Sequence, residues 1–414
     1  MKKRTTLTAL AGCLALLTAA GCSDGFDDDS GPAQDKGGKQ TLTVLIATSG
    51  DAETAAVKAA TAAYEKKSGN TVRVETAKDM NQQLGQAFAG GKPPDVFYVN
   101  SDQFANYASG GSLFPYTDAI DDVDDFSETL RRSFTYDGKL VCVPKDMSSL
   151  ALAVNTDLWQ AAGLTDADFP KTWDQLHSVA RTLTKGGVTG LVTTNEYQRL
   201  GAFMKEAGGW ITDPDQTKMT ADTAQNAEGL GFVKKMLADG SMKYMTDVDA
   251  GWGGEALGKG KAAMTIEGSW LAGAMKNDFP DVKYKVVDMP EGPGGKGTLA
   301  FTNCWGVAQD SSHRDAAVEL VKHLTEPAQQ LAMGNGFGAI PARLSAAQDY
   351  LAQHPEQAPW GAAGDWVQGP VTVKGIDKVL GQFNTDLQKL KTADPAKILG
   401  DLQRNGQSVV ESGQ

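Results

Sequence analysis

The run "TLTVLIAT", 41–48, is apolar and β-branched and stops at Ser49-Gly50-Asp51, which predicts a strand. Residues 52–67, "AETAAVKAATAAYEKK", follow as a strongly helical stretch closed by Ser68-Gly69. "TVRVETA" then predicts a second strand, "MNQQLGQAFAGG" a second helix, and "DVFYVN", entered through Pro93-Pro94, a third strand. Strands alternating with helices predict a mostly parallel α/β sheet. Ligands of such sheets sit at the carboxyl ends of strands. That places Ser49–Asp51 and Asn100–Asp102 at one cleft, since each follows a strand.

A second α/β region begins near 150. "SLALAVNTDLW" is strand-like, "TWDQLHSVARTLT" is a helix opening at Thr172, and "GLVTT" is a strand. A glycine-rich stretch from 290 leads into "TLAFTNCWGVAQ", again of strand character. From 313 the chain is mainly helical: "HRDAAVELVKHLT", "EPAQQLAMGN", "IDKVLGQFNTDLQKLKTA" and "DPAKILGDLQRNGQSVV". No internal repeat of fixed period is visible.

A length of 414 residues predicts two domains of ordinary size. A net charge of −12 excludes nucleic acid as an expected partner and gives no basic face for a membrane. Lys2, Lys3 and Arg4 precede an apolar stretch, Leu7 to Ala20, of signal-peptide length and too short to span a bilayer. Ala19-Ala20-Gly21-Cys22 then resembles the bacterial lipobox, whose cysteine is lipidated and becomes the new N-terminus. Leu10-Ala11-Gly12-Cys13 matches that motif better by letter but leaves almost no apolar segment before it, so Cys22 is the expected lipid attachment point. The alternative is an ordinary secretory signal with incidental cysteines. Residues 1–21 are thus read as a signal peptide, and 22–40, polar, acidic and rich in glycine, as a flexible tether. Cys142 and Cys304 remain, either paired in a disulfide or as two buried thiols.

Several chemistries can be set aside. "GPGGKGT", 292–298, lacks the Ser or Thr after lysine that a phosphate loop needs, and reads as a surface turn. His177, His313, His323 and His354 have no metal-ligand spacing, and "DDVDD", 121–125, has no calcium-loop glycine. There is no H-E-x-x-H and no G-x-S-x-G. No metal or other cofactor is expected.

Six stretches carry a family resemblance: "GKPPDVFYVN", "YDGKLVCVPKDMSSLALAVNTDLWQAAGL", "FPKTWDQL", "GKAAMTIEGSW", "WGVAQDSSHRDAAVELVKHLT" and "GFGAIPAR". In this order they resemble the extracellular solute-binding lipoproteins of carbohydrate ABC importers, the group that includes maltodextrin-binding proteins, over about 41–400. The resemblance implies a periplasmic-binding-protein-like α/β fold, two lobes joined by a multi-segment hinge with the ligand cleft between them. It places crossings near Asp146–Ser149, Val286–Pro290 and Ser311–Arg314. Lobe 1 is then 41–146 plus 288–312, and lobe 2 is 147–287 plus 313–414. It also brings "LVCVP" beside "FTNCWG" near the hinge, so a bridge between Cys142 and Cys304 is implied.

A sugar offers hydroxyls to carboxylates and amides, and C–H faces to aromatic rings. The resemblance carries Asp51 and Asp102 as acidic sugar ligands, although Ala52 and Gln103 stand where the family often has a basic residue. Each acid is also a plausible helix cap. Asp146 and Ser148 fall on the first crossing. Glu196, twelve residues before Gly208, and Tyr197 match an acidic ligand and a stacking ring. Trp270 in "IEGSW" is the leading ring platform, with Trp252, Trp305, Trp360 and Trp366 behind it; Arg343 is a candidate bridge to a hydroxyl. The expected protein is a monomeric, non-enzymatic capture protein, held outside the cell membrane by its lipid and delivering a mono- or oligosaccharide to an ABC permease. The competing expectations are capture of a polyamine or another non-sugar solute, and a secreted glycosidase using Asp102 and Glu196.

Overall fold

The computed structural model describes residues 38–48, 50–361, 364 and 366–413. The signal segment, Cys13, Cys22, most of the tether and Ser49 lie outside them. The described residues pack as one compact unit. The chain runs through β1 (Thr41–Ile46), β2 (Thr71–Thr76) and β3 (Val96–Asn100), then a small hairpin of β4 (Thr135–Tyr136) and β5 (Lys139–Leu140). After β6 (Asp146–Ser149) come β7 (Ala151–Asn155), β8 (Thr189–Thr193), β9 (Met242–Tyr244), β10 (Ala262–Glu267) and β11 (Tyr284–Val287). The last strands are β12 (Thr298–Phe301), β13 (Asn303–Val307), β14 (Ile340–Pro341) and β15 (Val367–Gln368).

Two sheets organise two lobes. The first has the order β13-β3-β1-β2, with β1 parallel to β2 and β3 and with β13 antiparallel to β3. The second has the order β11-β7-β10-β8-β9 and mixes parallel and antiparallel pairs. The inner strands β3, β7, β8 and β10 are almost wholly buried on both faces, whereas the edge strand β2 is mostly exposed and polar. Phe97, Val99, Trp305 and Val321 belong to one core, and Leu152, Leu191, Phe203 and Met264 to the other. A third, small sheet of order β14-β6-β12-β15 joins the lobes, with Phe301 opposite Ser148 and Pro341 opposite Asp146.

That joining sheet corrects the expected boundaries. The second crossing is the short step from β12 to β13, at Phe301–Asn303, rather than Val286–Pro290, because Tyr284–Val287 pairs with β7 inside lobe 2. The third lies at 340–344 rather than at Ser311–Arg314. Helices Arg314–Leu324 and Pro327–Phe337 pack on lobe 1, burying Val318, Val321, Leu324 and Met333 in its core. The Tyr64 hydroxyl of helix Asp51–Ser68 donates to the carbonyl of Ala316 over 3.0 Å. Among the described residues, lobe 1 therefore comprises about 41–145 and 303–343, and lobe 2 about 146–302 and 344–413. The helical tail gave no hint of this, since its periodicity marks an apolar face without naming the sheet that receives it.

"SLALAVNTDLW" also divides. Its second half is helix Thr156–Ala161, capped by the Asn155 side chain accepting from Leu158 N. Cys142 and Cys304 form a disulfide with a Cα–Cα distance of 5.8 Å, both sulfurs within the lobe 1 core.

Candidate functional site

The carboxyl end of β3 is followed directly by helix Ser101–Ser109, whose cap is Asn100, its side chain accepting from Gln103 N over 2.9 Å. This tight strand-to-helix turn aims Ser101 and Asp102 at the space between the lobes. On the facing side β8 leads to helix Tyr197–Glu206, and β10 to helix Trp270–Asn277. Between these ends lies a cavity of about 440 Å³, with β6 and β12 as its floor. Asp102, Asp146, Ser148, Tyr197 and Trp270 all line it.

Its apolar wall is a cluster of rings. Trp270 and Phe301 meet edge to face with centroids 5.1 Å apart, and the Arg199 guanidinium sits 5.0 Å from the Trp270 ring. The indole is fixed by a bond from Nε1 to Glu267 Oε2 over 3.0 Å. That same oxygen accepts from Arg199 Nε and Nη2 over 3.1 and 2.8 Å. Glu267 is fully buried, and neither it nor Arg199 lines the cavity, so this ion pair supports the platform from behind. Trp210, Tyr197 and Phe337 complete the apolar surface.

The floor holds a buried charge cluster. Lys145 Nζ donates to Glu53 Oε1 over 3.0 Å and to Asp146 Oδ2, and lies 4.4 Å from the Tyr98 ring centre. The Tyr98 hydroxyl donates to Glu53 Oε1 over 3.1 Å. Burial alone would depress the Lys145 ammonium, but the charges of Asp146 and Glu53 outweigh it and hold it well above its ordinary value. Burial also pushes the Tyr98 hydroxyl well up. Ser148 Oγ accepts from Ser269 N over 2.8 Å, pinning the start of the Trp270 helix to the hinge.

At the mouth the lobes touch. Burial raises the Asp102 carboxyl above its ordinary range; a hydrogen bond with Gln198 opposes this, and the charges of Glu196 and Asp377 add to it. Gly375 N donates to Asn106 Oδ1 across the same gap over 3.2 Å. Glu196 itself is exposed at the head of its helix and is not among the lining residues.

Besides Glu196, two further expected ligands lie off the cavity. Asp51 is exposed on the first turn of its helix, and the acid that lines the cavity is Glu53. Two positions along a helix turn a side chain by about 200°, so both cannot face the cleft. Arg343 lies away from the cavity, donating to the carbonyl of Thr325 over 2.6 Å and to those of Asp121 and Asp122 over 3.2 and 3.3 Å. It ties down the acidic 121–125 loop, whose backbone acceptors its planar fork satisfies. Trp305 and Trp360 are buried in the lobes, and neither Trp252 nor Trp366 lines the cavity. Sequence reasoning missed Trp210, Phe301, Phe337 and Lys145. The position of Phe301 beside the second crossing was the one usable signal, and it was obscured by placing that crossing too early.

The glycine-rich turn of 292–297 serves packing. A Cβ on Gly294 would lie 2.4 Å from Gly208 N, and one on Gly297 2.6 Å from Glu206 N. The turn thereby covers Glu206, a fully buried carboxylate that accepts from Trp173 Nε1 over 2.5 Å. Its Oε1 has no hydrogen-bond partner among the described residues.

Comparison with known proteins places this architecture. The diacetylchitobiose-binding protein DasA of Streptomyces coelicolor is 25% identical over 375 residues, 87% of either chain. The maltodextrin-binding protein MdxE of Bacillus subtilis is 24% identical, covering 81% of this chain and 80% of its own. Among solved structures, an ABC substrate-binding protein of Listeria monocytogenes in complex with cycloalternan superposes with a TM-score of 0.80 at 23% identity, covering 90% of this chain and 99% of that one. The GacH receptor of Streptomyces glaucescens gives 0.79 at 22% identity, covering 90% and 99%. These likenesses establish the two-lobed fold, and the named relatives are binding proteins. Residues 59–359 match the family described as bacterial extracellular solute-binding protein, and the chain belongs to that family.

Proposed function

We propose that this protein is the substrate-binding component of an ABC importer and that it captures a mono- or oligosaccharide between its lobes. The observation that carries the reading is the ring wall of Trp270, Phe301 and Trp210 in the same cavity as Asp102, Asn100, Gln198 and Asp146. Apolar planes beside acceptors and amides suit a ring with C–H faces and hydroxyl edges. DasA and MdxE, named for binding sugars, support it.

Closure is stabilised because a ligand bonded to both walls prefers the closed state to the open one. The captured sugar is handed to a membrane permease by a monomeric protein. Signal cleavage before Cys22 and lipidation of its thiol hold the protein at the outer face of the membrane. A diacylglyceryl group suits this better than a single acyl chain, which anchors only marginally.

Capture of a polyamine would need several unpaired carboxylates, whereas Glu53 and Asp146 both hold Lys145, leaving Asp102 as the lining carboxylate without an ion pair among the described residues. The test is a thermal-shift screen of mono-, di- and trisaccharides with spermidine as a parallel arm, because binding to the folded state raises its melting temperature. Saccharides are expected to shift the transition. A shift by spermidine with none from any saccharide defeats the proposal, and turnover of a labelled oligosaccharide defeats its non-enzymatic part.

A further inference from the structure

A second hollow, of about 260 Å³, adjoins the cavity and is also built from both lobes. Gly334 to Gly338 line it from lobe 1, and Lys276, Asn277, Tyr284, His354 and Gln357 from lobe 2. One residue, Phe337, lines both spaces. It ends helix Pro327–Phe337 and is followed by Gly338 in the left-handed conformation, φ 87°. This sharp exit sets the residue at the rim where the lobes meet. Its carbonyl oxygen is 3.3 Å from where a Cβ on Gly273, in helix Trp270–Asn277, would stand. Lys145 Nζ lies over its ring, 5.3 Å from the centroid, so the ring turns a face toward the charged floor.

We propose that Phe337 is a partition that sets the length of the bound saccharide, and that the hollow behind it becomes a subsite for a further sugar ring only once that partition is removed. The inference rests on the carbohydrate reading above. The linings differ in a way that fits it. The main cavity offers several rings, whereas the hollow offers amides, an ammonium, an imidazole and a phenol. Such groups hydrogen-bond the hydroxyls of a terminal, partly solvated unit. Phe337 closes the passage between them, so a chain one unit too long meets the ring in place of the polar lining. Gly273 matters for the same reason, because its missing side chain lets the Phe337 backbone close onto lobe 2.

The experiment measures dissociation constants by calorimetry for the malto- and chito-oligosaccharide series from two to five units. Wild type is compared with F337A, F337W and the double variant F337A/N277W, with circular dichroism confirming each fold. In the series that binds wild type, F337A is expected to shift the affinity ratio of each chain to the next shorter one by about tenfold toward length, equivalent to about 1.4 kcal/mol. F337W, which narrows the passage, shifts it the other way, and N277W, which fills the hollow, cancels the gain. Binding with an unmoved length profile in F337A and F337W overturns the partition alone. Absence of binding by every member of both series overturns the inference, and the thermal-shift screen separately decides the carbohydrate reading.

Discussion

Replacing Glu206 with glutamine removes a buried titration while keeping the acceptor that Trp173 uses. The wild-type carboxyl is held well above its ordinary value because burial disfavours the charged form, with the Trp173 bond only partly opposing this. Its place on the last turn of helix Tyr197–Glu206 acts in the same sense, since the carboxyl end of a helix repels negative charge. A raised folded pKa gives a stabilising contribution that is complete below the unfolded value, about 4.3. As pH rises past that value the unfolded chain releases the proton and the folded chain keeps it. Stability attributable to this group then falls by about 1.4 kcal/mol per pH unit until the folded pKa is passed. In E206Q the slope is absent. The assay is urea unfolding followed by tryptophan fluorescence for both proteins at intervals from about pH 5 upward, taking the difference in unfolding free energy so that other titrations cancel. E206Q should gain on wild type by about 1.4 kcal/mol for each unit, and the pH at which the gain levels off reads the folded pKa. A difference that stays flat over the first two units above about pH 5 refutes the reasoning.

If Trp270 is the proposed ring platform, Trp270→Ala should weaken saccharide binding by at least about tenfold, because the stacking plane and its packing on Phe301 are both lost; calorimetry with the best ligand from the screen measures it. Replacing both Cys142 and Cys304 with alanine opens a link between positions 162 residues apart and should cost about 2–5 kcal/mol of unfolding free energy, read by denaturant titration. Closure should survive that change, since both cysteines belong to one lobe, so ligand affinity in the folded variant should stay within about threefold of wild type. Cys22→Ala should release the protein into the medium or leave it unprocessed, as fractionation and mass spectrometry of the N-terminus would report; normal processing with unchanged membrane retention counts against Cys22 as the anchor.

The first lobe's strands and helices were legible because their signals are local. "DVFYVN" entered through Pro93-Pro94, and Ser68-Gly69 after a helical run, carry their own start and stop. Asp102, Asp146, Ser148, Tyr197 and Trp270 were legible through resemblance, since each follows a strand or lies on the hinge. Glu53 was hidden by its own helix: only the rotation of that helix about its axis decides that it, and not Asp51, enters the cavity. The Arg343 assignment failed for a different reason. An arginine beside a hinge is equally suited to a hydroxyl or to backbone carbonyls, and only the fold showed the 121–125 loop within its reach. The partners of 313–343 are tertiary throughout, so a boundary drawn from helix periodicity alone had nothing to correct it.

The return of 303–343 to lobe 1 has a consequence for how the chain matures. β13 is paired to β3, and about 200 residues, roughly three quarters of them in lobe 2, separate them along the sequence. While the polypeptide emerges from its amino end, β1 to β3 must wait with one sheet margin exposed until the first stretch of lobe 2, 146–302, has appeared. Neither half of the molecule can be finished before most of the other is synthesised. Contacts so distant in sequence make folding slow. Truncation at any point before about 343 leaves an unfinished first lobe, so the smallest heritable unit of this fold is nearly the whole chain.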